Sequence, residues 1–512
     1  MINPTNNPTP YRPLAVILIV VLLVLGMWMR FADLGERPMH TDEAATGAQI
    51  LADYLESGEY EFDAQHYHGP LLPFIAAQWA RLNGQTEWLE LEALTLRQVT
   101  AACGVLTLVG VLLMQFGLWR SVVGIGFLVT SPLLVYYSRM YIHEPLFLLC
   151  AVPALAGLLF LFNGRSRWIA ACLLGAGIGL MTATRETVVI SIAAWGAAGI
   201  LALARDRSAY SRVQVGLAGP FFSAVGLALL LIVVCYSAAG QGLNGVVEFI
   251  KTYTEYETTP GHEKPFLYYL SMLVWPKLSA GRWWTEAGIL LLAACVYSGK
   301  REERGYISGC FLFEAGLLHL LIYSVIAYKT PWLASLGWMH LCLAAAFGLA
   351  AIWSRLDGKL RAIPVAVFVA LLAWQGVQAQ RAAFRLSADG RNPYAYVPTV
   401  TDVVGIPELI GNIAEHVPDD NSLPIAIVGE SYWPLPWYLR NSGEIGYYDD
   451  LPGGLQSYPV VILMPSSFDE GSDALESTHT FIPKGLRDDF PIIVAIENGV
   501  WSRYQSSIQD EI

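Results

Sequence analysis

Charge is scarce in this sequence. Only 14% of its 512 residues are Asp, Glu, Lys or Arg, against roughly 25% in a soluble globular domain. Basic residues are the scarcer sign: 31 Lys and Arg stand against 43 Asp and Glu, for a net charge of −12. That balance excludes a nucleic-acid binder, which needs basic clusters. Cysteine is also sparse. All seven (Cys103, Cys150, Cys172, Cys235, Cys295, Cys310 and Cys342) lie in or beside apolar runs, and none forms a C-x-x-C. A disulfide framework and a zinc ribbon are therefore excluded. A glycine-rich dinucleotide fingerprint is missing. The first apolar run lacks a small-residue cleavage pattern, so it reads as a retained span rather than a secretory signal.

What the chain has in excess is hydrophobic sequence, 54% of it, gathered in long runs. A membrane span needs about 20 mostly apolar residues. About eleven segments qualify: 14–30, 97–118, 121–137, 143–162, 167–183, 187–204, 213–236, 284–299, 308–327, 332–353 and 362–379. The expected fold is a polytopic α-helical membrane protein, residues 1–380, with external loops at 31–96 and 237–283. Residues 381–512 change in composition. Turn signals at Asn392-Pro393 and Leu451-Pro452-Gly453-Gly454 separate buried-strand patterns at 423–428, 460–464 and 491–496, with a helix-like stretch at 402–416. This part reads as a soluble α/β domain.

Lys and Arg favour cytoplasmic connections. With the N-terminus in the cytoplasm, every inside turn carries at least one, among them Arg120, Arg165, Arg205, Lys300 and Arg355. The short outside connections then carry only Arg139, Arg185 and Lys329. An odd number of spans puts the C-terminal domain on the extracytoplasmic side of a plasma membrane. Two stretches too short to span, 69–79 and 266–275, suit helices lying at the interface with membrane lipids.

The outside face collects the chemistry-bearing residues. Asp42 and Glu43 directly follow the first span. Adjacent carboxylates on a helix point about 100° apart, so one could act as general base towards an acceptor hydroxyl while the other holds a metal or a structural contact. The plainer reading is a helix start, with Thr41 as cap and acids complementing the dipole. His66 and His68 at i, i+2 share one face of a strand. With Asp42 or His40 they could bind a divalent metal, Mg or Mn; Asp42, Glu43 and His68 form the metal set considered. Arg139, Arg185 and Lys329 could form a cationic site for a phosphate leaving group, or pair locally with Glu144 and Glu186. Tyr137, Tyr328 and Trp332 suit sugar stacking or an aromatic belt.

The strings His40-Thr41-Asp42-Glu43, Tyr67-His68-Gly69-Pro70-Leu71-Leu72, Ser138-Arg139-Met140, Thr184-Arg185-Glu186, Tyr328-Lys329-Thr330-Pro331-Trp332 and Trp433-Pro434-Leu435-Pro436-Trp437-Tyr438-Leu439-Arg440 resemble the GT-C superfamily of polytopic glycosyltransferases. That superfamily includes the protein O-mannosyltransferases and aminoarabinose transferases. The nearer resemblance is to its flippase activity-associated subfamily. The resemblance implies a polyprenyl-phosphate sugar donor and transfer on the extracytoplasmic face to a glycan, lipid or protein acceptor. It implies Asp42 as general base or acceptor-binding residue, with Glu43 assisting or binding metal. Arg139, Arg185 and Lys329 become donor-phosphate candidates, and His40, His66, His68, Tyr137, Glu144, Glu186, Tyr328 and Trp332 substrate-binding candidates. The alternative is an accessory protein for flipping lipid-linked sugars. The absence of an internal repeat and the clustering of charge at span ends favour the enzyme.

Overall fold

The computed structural model describes residues 11–65, 68–206, 216, 218–255, 261–301, 303, 305–417 and 423–510. His66 and Tyr67 lie outside them.

Among the described residues, eight helices are long and apolar enough to cross a membrane: Arg12–Phe31, Ala93–Met114, Glu144–Phe162, Val188–Arg205, Ala218–Tyr236, Tyr306–Val325, Pro331–Arg355 and Gly358–Arg385. A ninth, Leu118–Thr130 with Pro132–Ser138, is bent by 64°. Two shorter apolar helices, Arg167–Thr182 and Ala287–Ser298, fill the remaining expected positions. Each segment read from hydropathy is thus a helix, and the chain is an integral membrane protein. The bend in the third follows from sequence. Ser131 precedes Pro132 and takes an extended conformation (φ −63°, ψ 120°), because a residue before proline is pushed out of the helical region. The last two turns then swing Tyr136, Tyr137 and Arg139 to one end of the bundle.

The long connections meet at that same end. Helix Leu71–Leu82 of the first loop is docked by backbone pairing, Gly69 N–H to Thr184 O at 3.1 Å and Leu71 N–H to Ala183 O at 3.0 Å. The approach is so close that a Cβ on residue 69 would lie 2.2 Å from Ala183 O, so only glycine fits. The second loop holds helix Asn244–Glu255, helix Tyr268–Leu273 and an antiparallel hairpin of β1 (Lys277–Ser279) and β2 (Arg282–Trp284). Only the Tyr268–Leu273 helix falls within an expected interfacial stretch.

The C-terminal part carries a five-stranded sheet of β3 (Ile425–Val428), β4 (Ile445–Tyr448), β5 (Val460–Leu463), β6 (His479–Arg487) and β7 (Phe490–Glu497), in the order β4-β3-β5-β7-β6. The strands β4, β3 and β5 run parallel; β7 is antiparallel to β5 and β6. Every residue of β3 and β5 is buried, as expected for central strands covered on both faces. Helix Ile406–Ala414 packs Ile406, Ile410 and Ile413 onto one face, and Leu455 and Leu475 cover the other.

Candidate active site

The stretch 39–43 is clamped between the bundle and the C-terminal part. Met39 N–H donates to the Tyr438 hydroxyl at 2.7 Å, and Thr399 Oγ1 donates to Met39 O at 2.8 Å. Thr41 Oγ1 donates to Trp433 O at 3.3 Å. A helix starts here, Thr41–Glu43 running through a wider-turned Ala44–Gln49 into Ile50–Ser57. Its cap is His40 rather than Thr41. Asp42 N–H donates to His40 Nδ1 at 3.1 Å, and Glu43 reaches back to accept from His40 N–H at 3.0 Å. This is a reciprocal capping box. His40 Nε2 lies 2.8 Å from Tyr396 O and donates to it while Nδ1 accepts.

The two adjacent carboxylates have opposite surroundings. Glu43 is fully buried. Arg97 donates from Nε and Nη2 to its two oxygens, each at 2.8 Å, and Tyr141 N–H adds a third bond at 2.8 Å. Arg37 stands at 3.4 Å. Burial alone would raise this carboxyl, but Arg97, Arg37 and the His40 N–H more than offset it and hold it well below the usual range. The Asp42 side chain is 38% exposed and, among the described residues, its oxygens accept no hydrogen bond. His40 Nδ1 lies 3.9 Å from its Oδ2.

Among the groups that feel the Asp42 charge are His262 of the second loop, Tyr396 and Arg487 of β6. Burial lowers His262 while Asp42 raises it. Burial, Asp42 and Glu263 push Tyr396 up to about 12. His262 Nδ1 and the Tyr396 hydroxyl are 2.7 Å apart. The His262 ring lies between Tyr328 and Tyr396, at centroid distances of 4.8 and 5.8 Å. Trp332 meets His40, Tyr137 and Tyr396 edge-on.

The expected cationic triad is not assembled. Arg139 donates to the carbonyls of Met29, Arg30, Ala32 and Asp33 at 2.6–3.3 Å, so it caps the end of the first span. Lys329 donates to Lys264 O at 2.9 Å and Ala327 O at 3.4 Å, and also to Ile326 O, closing the end of helix Tyr306–Val325. Arg185 alone faces a cavity. It forms an ion pair with Glu144, and its Nε lies 3.7 Å from Glu186. His68 Nδ1 is 3.1 Å from Glu186 Oε2 and packs edge-on to His143 at 5.0 Å. Burial would raise Glu186, but His68 and Arg185 bring it to about 2.

Two cavities with a shared wall lie inside the bundle at this end. Arg185, Thr187, His319, Tyr323 and Trp332 line one, and Arg30, Thr107, Tyr137 and Ser138 the other; Glu144 and Ser335 line both. Arg30 Nε, Arg185 Nε, His319 Nδ1 and Ser335 Oγ are buried without a hydrogen-bond partner among the described residues. Such orphans mark a place where a polar ligand or water completes the set.

The metal expectation fares differently. Among the described residues no group of three or more His, Cys, Asp or Glu is placed to hold an ion. Glu43 has its oxygens filled by Arg97 and backbone N–H groups, and His68 is turned to Glu186. The set Asp42, Glu43 and His68 therefore does not fit a metal.

Sequence reasoning missed Arg97, Arg30, Tyr396 and Arg487. Arg97 and Arg30 carry a signal, a lone cation at the end of an apolar run. Tyr396 and Arg487 carry none.

No protein-family model matches the chain, and no curated protein matches it by sequence. Solved structures do. ArnT from Cupriavidus metallidurans bound to undecaprenyl phosphate aligns over 95% of this chain and 99% of its own, at 16% identity and a TM-score of 0.59. The same protein in its apo state gives 15%, over 94% and 98%, with a TM-score of 0.60. The oligosaccharyltransferase AglB from Archaeoglobus fulgidus, in complex with an inhibitory peptide and a dolichol-phosphate, gives 13%, over 92% and 73%, with a TM-score of 0.50. At these identities the likeness is one of fold: the chain shares the fold of ArnT and AglB.

Proposed function

We propose that the chain is a membrane glycosyltransferase that moves a sugar from a polyprenyl-phosphate-linked donor to an acceptor on the extracytoplasmic face. The N-terminus then lies in the cytoplasm, and the loops and C-terminal part lie outside a plasma membrane, as the basic residues of the other connections favour. The observation that carries the reading is the division within the acidic pair. Glu43 is sequestered by Arg97, while its neighbour Asp42 keeps an exposed carboxylate with no hydrogen bond among the described residues. A carboxylate held in place by a rigid cap yet left free is suited to take a proton.

In this reading the acceptor hydroxyl loses its proton to Asp42 as its oxygen bonds to the anomeric carbon. The bond from that carbon to the donor phosphate breaks, and its electron pair stays on the phosphate oxygen. Arg185, the described cation that lines a cavity beside Glu144 and Trp332, stabilises that charge. Attack opposite the leaving group inverts the anomeric centre. Tyr328, Trp332 and Tyr396 supply aromatic faces for the sugar. His40 and Glu43 act by holding Asp42 in position. Undecaprenyl phosphate in the ArnT structure and dolichol-phosphate in that of AglB support a polyprenyl phosphate as donor lipid.

The test is transfer from a polyprenyl-phosphate sugar in liposomes. Asp42→Asn should fold normally and lose about 10²–10⁴ of the rate, the range for a general base. Transfer at the wild-type rate would remove Asp42 from the chemistry. Lipid movement across the bilayer without any transfer would instead favour a flipping role.

A further inference from the structure

Glu144 lies in the wall that the two cavities share, with Arg185 on one side, and the charges around it are unevenly satisfied. Glu144 lines both cavities, Arg185 one of them and Arg30 the other. Arg30 is 2% exposed. It spends Nη1 on Gly26 O and Nη2 on Leu128 O, each at 3.2 Å. Its Nε has no partner among the described residues. Arg185 is paired to Glu144, and its Nε makes no hydrogen bond among the described residues, with the Glu186 carboxylate 3.7 Å away. Glu144 therefore pairs with one buried guanidinium, Arg185, and lines the same cavity as a second, Arg30, whose Nε is unspent.

Such a group has two places to go. A buried guanidinium strongly favours an anionic partner, and packed interiors tend to offer discrete alternatives rather than a continuum. While Glu144 occupies Arg185, an incoming phosphate must compete with it. Once a phosphate takes Arg185, like-charge repulsion drives Glu144 away, and Arg30 is the cation waiting across the second cavity.

We infer that Glu144 is a resident counter-anion that a phosphate monoester displaces from Arg185, and that Arg30 receives it. This rests on Arg185 being the phosphate site proposed above. The exchange keeps Glu144 beside a guanidinium in both states, so the phosphate group enters without leaving a bare carboxylate in the membrane. Arg30 is then a positioning residue that acts through Glu144 and does not touch the phosphate.

The test is a double-mutant cycle on the full chain in detergent, titrated with undecaprenyl phosphate and, in a second arm, with inorganic phosphate. Glu144→Gln removes the competitor and should tighten binding about five- to tenfold, at the low end of typical coupling between sites. Arg30→Met removes the receiving cation and should weaken binding by a similar factor when Glu144 is present. In the Glu144→Gln background Arg30→Met should have no effect. Weaker binding by Glu144→Gln, or an equal loss from Arg30→Met in both backgrounds, overturns the exchange. Arg185→Gln separates the two readings. If it binds like wild type the phosphate is not at Arg185, and the functional assignment fails on its own. Tightening of the lipid arm alone assigns the site to the headgroup in its lipid setting, and tightening of both arms assigns it to phosphate as such. Should Arg30→Met not fold, Arg30→Gln serves, and the sign of the Glu144→Gln shift stands without it.

Discussion

Arg97 grips Glu43 through two hydrogen bonds of 2.8 Å, and neither side chain is exposed to solvent. The same guanidinium also donates to Leu34 O, Arg37 O and Pro38 O. One residue at the start of the second span thus gathers the whole approach to Asp42.

Breaking that pair leaves a buried charge uncompensated, which costs about 3–5 kcal/mol. Arg97→Met should therefore lower thermal stability in detergent sharply, and Glu43→Gln should do so as well. Asp42→Asn should leave the melting temperature unchanged. A Glu43→Gln variant that melts like wild type but transfers no sugar would give Glu43 a chemical role and remove the structural one.

Arg139 and Lys329 should separate from Arg185 in kinetics. Each closes a helix end with several charge-assisted hydrogen bonds, worth about 1.5–3 kcal/mol apiece. Arg139→Met and Lys329→Met should lose stability while KM for the lipid donor stays put. Arg185→Gln should raise that KM or lower kcat. A raised donor KM in the Lys329 variant, at unchanged stability, would return it to the phosphate site.

Glu186 sets a pH window. Its pKa falls from an ordinary 4.5 to about 2 in the folded chain. A carboxyl depressed by folding adds stability that is complete above 4.5 and lost as pH drops towards 2. Melting temperatures of wild type and Glu186→Gln, measured from pH 7 downwards, should converge over that interval. A gap that stays constant to pH 2 would show that the ionised form is not what matters.

Gly69→Ala should be disproportionately harmful. Its Cβ would meet the backbone of Ala183 and Thr184, which cannot move aside as a flexible side chain would. The shift pulls His68 from Glu186. The measurable consequence is lower stability together with a smaller effect of His68→Gln in that background. Additive losses would mean that the two contacts are independent.

The strands show where sequence was legible. β3, β5 and β7 lie within or beside the apolar runs at 423–428, 460–464 and 491–496, because central strands must be apolar on both faces. β4 and β6 are the two edges of the sheet and escaped notice. β4 contains Gly446, and β6 contains Pro483 and Gly485; residues that argue against a central strand are tolerated at an edge. The candidate site divides in the same way. Asp42, Glu43, Arg185 and Glu186 were visible as charges at span ends. Tyr396 and Arg487, hundreds of residues from Asp42, were not.

Sequence by itself determined the apolar helices and the presence of an α/β part. A bilayer leaves the backbone no partner but its own helix, so hydropathy decides these elements locally. Tertiary structure alone decided which carboxylate of the pair is free, and that two of three expected phosphate cations are spent on helix ends. Those outcomes turn on backbone carbonyls and on an arginine 54 residues from its partner. No local pattern encodes such contacts; they exist only once the chain has packed.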